Sequence, residues 1–293
     1  MSELTIPLRY PEKAGAFLEV WQRFRRHGAA MVGLLILLGF VVLAVAAPLL
    51  TPYDPVRQDL SQVLVAPSLA HPLGIDYLGR DILARILYGT RLSLTIGFLA
   101  VAFGIVVGVP LGAVSGYYGG WADMIIQRIA DILLSFPGFL LALSLVAILG
   151  VGLQNVIISV GVSAVPSFIR IVRGSVLIIR EQTYVEAAKA IGTRDVVIIF
   201  RHVLINALAP VIVQATLNLG TAILVAAGLG FLGLGVQPPT PEWGAMLGEG
   251  RQYIFSASYM ATFPGLAIFL AVLGFNLMGD GLRDALDPRL RVL

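Results

Sequence analysis

Long apolar runs separated by short polar stretches set the pattern of this chain. A helix needs about 20 apolar residues to cross the hydrocarbon core of a bilayer. Six runs qualify: 28–50, 92–117, 126–150, 154–173, 206–235 and 262–282. The pattern predicts an all-α polytopic membrane protein with about six transmembrane helices. The first run follows a polar lead of 27 residues, and its Ala44-Val45-Ala46 looks like a signal-cleavage site. Its apolar stretch exceeds the about 7–15 residues of a signal-peptide core, so it reads as an uncleaved anchor. The predicted organisation is an N-terminal segment 1–27, a first span 28–50, an external segment 51–91, a five-helix core 92–282 holding a loop 174–205, and a tail 283–293.

Composition agrees with a lipid solvent. Hydrophobic residues make up 58% of the chain and charged residues 13%, against about 25% charged in soluble domains. The absence of cysteine excludes disulfides, thiolate metal sites and cysteine nucleophiles. His27, His71 and His202 show no metal-ligand spacing. A formal charge of +3 is too small to imply nucleic acid.

The placement of the cations says more. Arg9, Lys13, Arg23, Arg25, Arg26, Arg128, Arg170, Arg173, Arg180, Lys189, Arg194, Arg201, Arg283, Arg289 and Arg291 fall on one side of the spans. Arg57, Arg80, Arg85, Arg91 and Arg251 fall on the other. Cytoplasmic loops carry the excess of Lys and Arg, which puts both termini and the 174–205 loop in the cytoplasm. The N-terminal arginines need no role beyond topology.

Within the second span, Gly104, Gly108, Gly112, Gly116 and Gly120 recur every fourth residue. Such a stripe lets another helix approach closely, and Pro110 removes a backbone donor beside it. Ordinary packing and a helix that slides or bends are both compatible with it. Asp131, near a span entrance, reads as interfacial; Gln214, Asn218 and Asn276 are neutral. No charged relay of a proton-coupled carrier is visible.

The only two lysines, Lys13 and Lys189, are each followed by alanine. Neither ends a Gly-x-x-x-x-Gly-Lys loop, so the chain has no P-loop. It has no HExxH and no clear nucleophile motif either. Uphill transport would draw on a partner or an ion gradient.

The loop offers a place for such a partner. Thr183-Tyr-Val-Glu186 has the capping-box pattern of a helix start, and alanines follow. Gly192 suits a left-handed helix end. Thr193 is placed to cap a second helix, with Asp195 in its first turn. Ala187 and Ala188 leave a smooth surface, and Glu186, Arg194 and Arg201 supply polar contacts. The alternative is an ordinary solvated loop, which would not need this small, rigid apolar patch.

EAAKAIG at 186–192 with RHVLIN at 201–206 resembles the EAA motif of ABC importer permeases. HPLGIDYLGRDILARILYGTRLSL (71–94), GYYGGWADMIIQRIADILLSFPG (116–138), FLGLGVQPPTPEWGAML (231–247) and MGDGLRDALDPRL (278–290) are similar to the dipeptide, oligopeptide and nickel permeases. The order of the blocks matches the C-type member of a heterodimeric pair. The resemblance implies a type I importer fold and a coupling helix, with Glu186, Ala187, Ala188, Gly192, Arg194, Asp195 and Arg201 meeting an ATPase subunit. It implies ATP and Mg bound by two partner ATPases, a second permease, an extracytoplasmic binding protein and a bacterial inner membrane; the chain itself would hold no cofactor. Ile205 stands where the family motif has proline before the asparagine. Ala226 stands where members often carry a glutamate, so that acid's role does not carry over.

The outer blocks can be read physically. Residues 81–90 suggest an amphipathic helix along the outer membrane surface, with Arg85 and Arg91 toward water or headgroups. The prolines of PPTPEWG exclude a helix interior, and Trp243 suits the membrane interface. Together these blocks either receive a binding protein or only close the outer end of the pathway. Arg283, Asp284, Asp287 and Arg289 read as a solvated tail. The functional expectation is a permease for peptides or similar small solutes, with nickel, an ion-driven carrier and a non-transporting scaffold as alternatives. An intramembrane enzyme has no visible catalytic set.

Overall fold

The computed structural model describes residues 13–286, a bundle of helices in chain order. They are α1 (Lys13–Arg26), α2 (Gly28–Leu50), α3 (Ile82–Tyr118), α4 (Gly120–Leu134), α5 (Gly138–Leu149), α6 (Leu153–Ile179) and α7 (Thr183–Ala190). There follow α8 (Asp195–Val197), which continues as a π-helical turn Ile198–Val203, then α9 (Leu208–Phe231), α10 (Trp243–Gly250) and α11 (Tyr259–Leu286). Five of them (α2, α3, α6, α9 and α11) are long and apolar enough to cross a membrane. The pair α4–α5 adds a sixth if a bent pair counts as one span.

Three expectations change. The single span at 126–150 is two helices that meet at 90°. Pro137 has no N–H to continue α4 and disfavours the helical region for Phe136. The separate surface helix at 81–90 is instead the first part of α3. The Asp81 carboxylate caps that helix by accepting from Ala84 N at 2.7 Å, and nothing interrupts the 37 residues that follow, about 55 Å at 1.5 Å per residue. The last helix, expected to end at 282, runs to Leu286. Its Asp284 pairs with His27 Nε2 at 3.3 Å. Arg9, Asp287, Arg289 and Arg291 lie outside the described residues.

Prolines within helices are tolerated where their lost bonds are replaced. Pro48 cannot donate to the carbonyl of Ala44, and Arg91 Nε reaches that oxygen at 2.7 Å. The same Arg91 lies over the Tyr88 ring, 5.2 Å from its centroid.

The core is centred on α3 against α6, and the glycines explain why the two are so close. A methyl at Gly108 would lie 2.8 Å from Val165 O, one at Gly112 2.6 Å from Ile169 O, and one at Gly116 2.8 Å from Val176 Cβ. Gly104 faces Phe168 more loosely, at 3.1 Å. Gly120 lies beyond the helix with φ +53° and open space around it, so the stripe is four glycines long. Gly112→Ala is expected to cost about 1–3 kcal/mol through overpacking, seen as a lower thermal midpoint in detergent. Gly174→Ala, where an added methyl meets nothing, should be neutral or stabilising.

Candidate functional site

The loop after α6 is built on two faces. α7 starts after the extended Gln182, whose carbonyl accepts from Val185 N at 2.9 Å and Glu186 N at 3.2 Å. The expected capping box is not formed: Thr183 is already helical, and no side chain caps the start. Gly192 ends the helix at φ +77°, with its N–H on Lys189 O at 2.9 Å and Thr193 N on Ala188 O at 3.1 Å. The next helix starts one residue later than expected. Arg194, not Thr193, occupies its N-cap, again without a side-chain bond, and Asp195 sits in its first turn.

Helical periodicity sorts the side chains. Val185 and Ala188 point inward, 0% and 6% exposed, into the same core as Ile198 and Val203. Tyr184, Ala187 and Ile191 point outward, with Ile191 83% exposed. Ala188, expected on the outer surface, is therefore part of the chain's own core, because it follows Val185 by three residues on the inner face. Glu186, Arg194 and Arg201 are exposed, as are the apolar Val196 and Phe200.

The loop is tied to the adjoining ends of α3 and α6. Tyr117, the penultimate residue of α3, donates its hydroxyl to Asp195 Oδ1 at 2.7 Å. Lys189 Nζ lies 5.0 Å from the Tyr117 ring centroid, and Arg180 Nη1 donates to Gly116 O at 2.9 Å. Asn206 Nδ2 donates to Tyr184 Oη at 3.1 Å and to His202 O at 2.6 Å. Asp195 thus holds the chain's own α3 rather than standing free. Tyr117→Phe removes a bond to a charged acceptor, worth roughly 1.5 kcal/mol. The expected result is about tenfold faster amide exchange at residues 192–198 with normal protein levels.

At its other end, α3 enters a buried charge cluster. Arg80 is wholly buried and Arg85 is 1% exposed, so Arg85 does not face water or headgroups as expected. Arg80 donates through Nε to Asp76 Oδ2 at 2.6 Å and through Nη2 to Glu249 Oε2 at 2.8 Å. Arg85 Nη2 reaches the same Glu249 oxygen at 3.2 Å. This joins the 51–81 segment, α3 and α10. Trp243, expected at the membrane interface, is wholly buried with Nε1 on Ile86 O at 3.2 Å. Glu242 caps α10. Its oxygens accept from Gly244 N, Ala245 N and Ser93 Oγ at 2.9, 2.8 and 3.1 Å. Burial pushes its carboxyl above the ordinary range against the pull of these three donors.

Further polar pairs lie elsewhere in the bundle. Asp131 bonds Arg170 at 2.6 Å in an exposed pair. Gln214 bonds Asn218 at 3.2 Å. Arg173 grips Asp123 with two bonds of 2.6 and 2.7 Å, fixing α4 to α6. The sequence reading missed Tyr117, Asp76, Glu249 and Glu242. The signal available was the presence of acids beside arginines in the few polar stretches of an apolar chain.

Comparison with known proteins gives this arrangement a context. Residues 108–292 match the family described as binding-protein-dependent transport system inner membrane component. Residues 16–70 match the N-terminal TM domain of oligopeptide transport permease C. A dipeptide transport system permease protein, DppC, of Alkalihalophilus pseudofirmus is 52% identical over 93% of this chain and 90% of its own. A glutathione transport system permease protein, GsiD, of Pectobacterium atrosepticum is 50% identical over 93% of this chain and 91% of its own. An inward-facing structure of the MetNI methionine ABC transporter overlays with a TM-score of 0.56 at 24% identity, covering 69% of this chain and 96% of that chain. A second crystal form gives 0.54 at 26% identity with the same coverage.

Proposed function

Because this chain belongs to the family of binding-protein-dependent transport system inner membrane components, as a C-type permease subunit of an ABC importer, we propose that it imports small peptides by alternating access. The fold is that of a type I importer permease. The proposed assembly pairs it with a second permease, two ATPase subunits that bind ATP and Mg, and an extracytoplasmic binding protein. It sits in a bacterial inner membrane, with both termini and α7 on the cytoplasmic side.

One observation carries the mechanism: α7 has an exposed outer face and an inner face locked to the bundle. In this account the outer face, with Glu186, Ala187 and Ile191, sits on an ATPase subunit. Arg194 and Arg201 flank it. ATP binding draws the two motor subunits together and displaces α7. Asp195 and Lys189 pass that displacement to Tyr117. The glycine face makes α3 and α6 move as one body, and the Arg80–Arg85–Glu249 cluster carries the motion to the opposite end. A ligand or partner shifts such an equilibrium only by binding the two states differently. The dipeptide and glutathione permeases among the relatives support peptide over nickel as the substrate class. Family membership supports an ATP-driven subunit over a lone ion-driven carrier.

Affinity capture of the tagged chain from native membranes tests this reading. The expected result is co-purification of a second permease together with P-loop ATPases, and a binding protein whose cargo is a peptide. Recovery of the chain alone, under conditions that preserve a known importer, would count against it.

A further inference from the structure

We propose that α1 and the end of α11 form a site for the headgroup of an anionic phospholipid in the inner leaflet. The proposal rests on the cytoplasmic placement of this end. Topology alone would be served by arginines anywhere in the N-terminal lead, but here Arg23 and Arg26 line a groove between α1 and α11. Phe24 is buried with Ala30 and Ala285, which fixes α1 against the last turns of α11 and the start of α2. Beside this anchor lies a cavity of about 340 Å³ lined by Arg23, Arg26, His27, Gly281, Asp284 and Ala285.

The flanks of α1 suit a lipid surface. Leu18 and Trp21, three residues apart, are 57% and 41% exposed; they form an apolar flank for the acyl region. Gln22, Arg23 and Arg26 occupy the neighbouring polar flank, as in helices that lie in the interface plane. Trp21 stacks on Phe24 with centroids 5.9 Å apart, so the apolar flank has a fixed position relative to the cavity. Asp284 is the one acid in the lining and pairs with His27 at 3.3 Å. Glu19, four residues before Arg23, makes no ion pair with it among the described residues. Arg23 and Arg26 therefore give the niche its positive sign, which matches a phosphodiester. Basic pockets between helices on the cytoplasmic side bind anionic headgroups in this way.

The test uses the full importer in phosphatidylcholine nanodiscs titrated with phosphatidylglycerol, with native mass spectrometry counting retained lipid. The wild type should retain phosphatidylglycerol in preference to phosphatidylcholine. R23Q/R26Q should bind it roughly thirty-fold more weakly, from the worth of two basic groups near an anionic surface, and R23K/R26K should recover most of that. No lipid preference in the wild type, or equal retention by R23Q/R26Q, overturns the proposal. Arginine-dependent binding of inorganic phosphate in detergent without any phosphatidylglycerol preference in nanodiscs also overturns it, in favour of a soluble anion. The chain has no cysteine, so Gln22→Cys reports the side of the membrane separately. Labelling of that thiol by an impermeant maleimide from outside intact cells would sink the orientation, and with it the inner-leaflet placement.

Discussion

Arg80→Leu is expected to be among the most damaging single changes in this chain, lowering the stability of the folded subunit by about 3–5 kcal/mol. The Arg80 side chain is wholly buried, and it bridges Asp76 and Glu249. Leucine fills part of its volume but leaves the buried Asp76 and the partly buried Glu249 carboxylates with Arg85 as their remaining cation. Arg85 already shares Glu249 at 3.2 Å and lies 3.7 Å from Asp76, so Asp76 loses its 2.6 Å partner and Glu249 the shorter of its two bonds. The damage should centre on the junction of the 51–81 segment with α3 and α10. A thermal midpoint in detergent that falls by several degrees, with early protease cleavage in residues 51–81, is the predicted result. An unchanged midpoint and cleavage pattern would show that the cluster contributes nothing.

The second large effect falls on function with little change in subunit stability. Gly192→Pro and Glu186→Arg should leave the subunit in the membrane and reduce transport-linked ATPase stimulation to the basal level. Gly192 has φ +77°, and proline is fixed near −65°. The substitution also removes the N–H that Lys189 O accepts at 2.9 Å. The turn out of α7 cannot form as it stands, and the outer face loses its angle to the bundle. Glu186 is exposed in the first turn of α7. An arginine there opposes the helix dipole and reverses the charge presented outward, without touching Val185 or Ala188. Because neither residue is in the core, membrane levels should match the wild type. Normal stimulation in both variants would remove α7 from the coupling role.

The parts of this molecule that follow from local or periodic rules were legible in the chain. Apolar length marks five of the spans, and the four-residue recurrence of Gly104, Gly108, Gly112 and Gly116 marks the face that meets α6. Gly192 ends α7 as its residue type suggests. Pro137 is a helix breaker by residue type, yet apolar residues dominate on both sides of it, and length alone counts 126–150 as one span. The end of the bundle that holds Arg80 and Trp243 was less legible. Arg85 and Trp243 are residue types that usually sit at a membrane interface, and both are buried here because Glu249 and the Ile86 carbonyl meet them from distant parts of the chain. Such partners are separated by more than 150 residues, and no spacing rule reaches that far. Ala187 and Ala188 were equivalent in sequence. The helix that Gln182 starts sets its phase, and that phase turns one alanine outward and the other inward.

That difference gives the most direct test of the coupling role. The native chain has no cysteine, so Ala187→Cys and Ala188→Cys each place a unique thiol on opposite faces of α7. Each variant would be purified with its partners and treated with a short bifunctional thiol reagent, with single cysteines placed on the surface of the ATPase subunit. The cysteine at 187 is expected to crosslink to the ATPase in a nucleotide-dependent way, and the cysteine at 188 is not. Crosslinking at neither position, or at 188 alone, would contradict the placement of α7 on the motor.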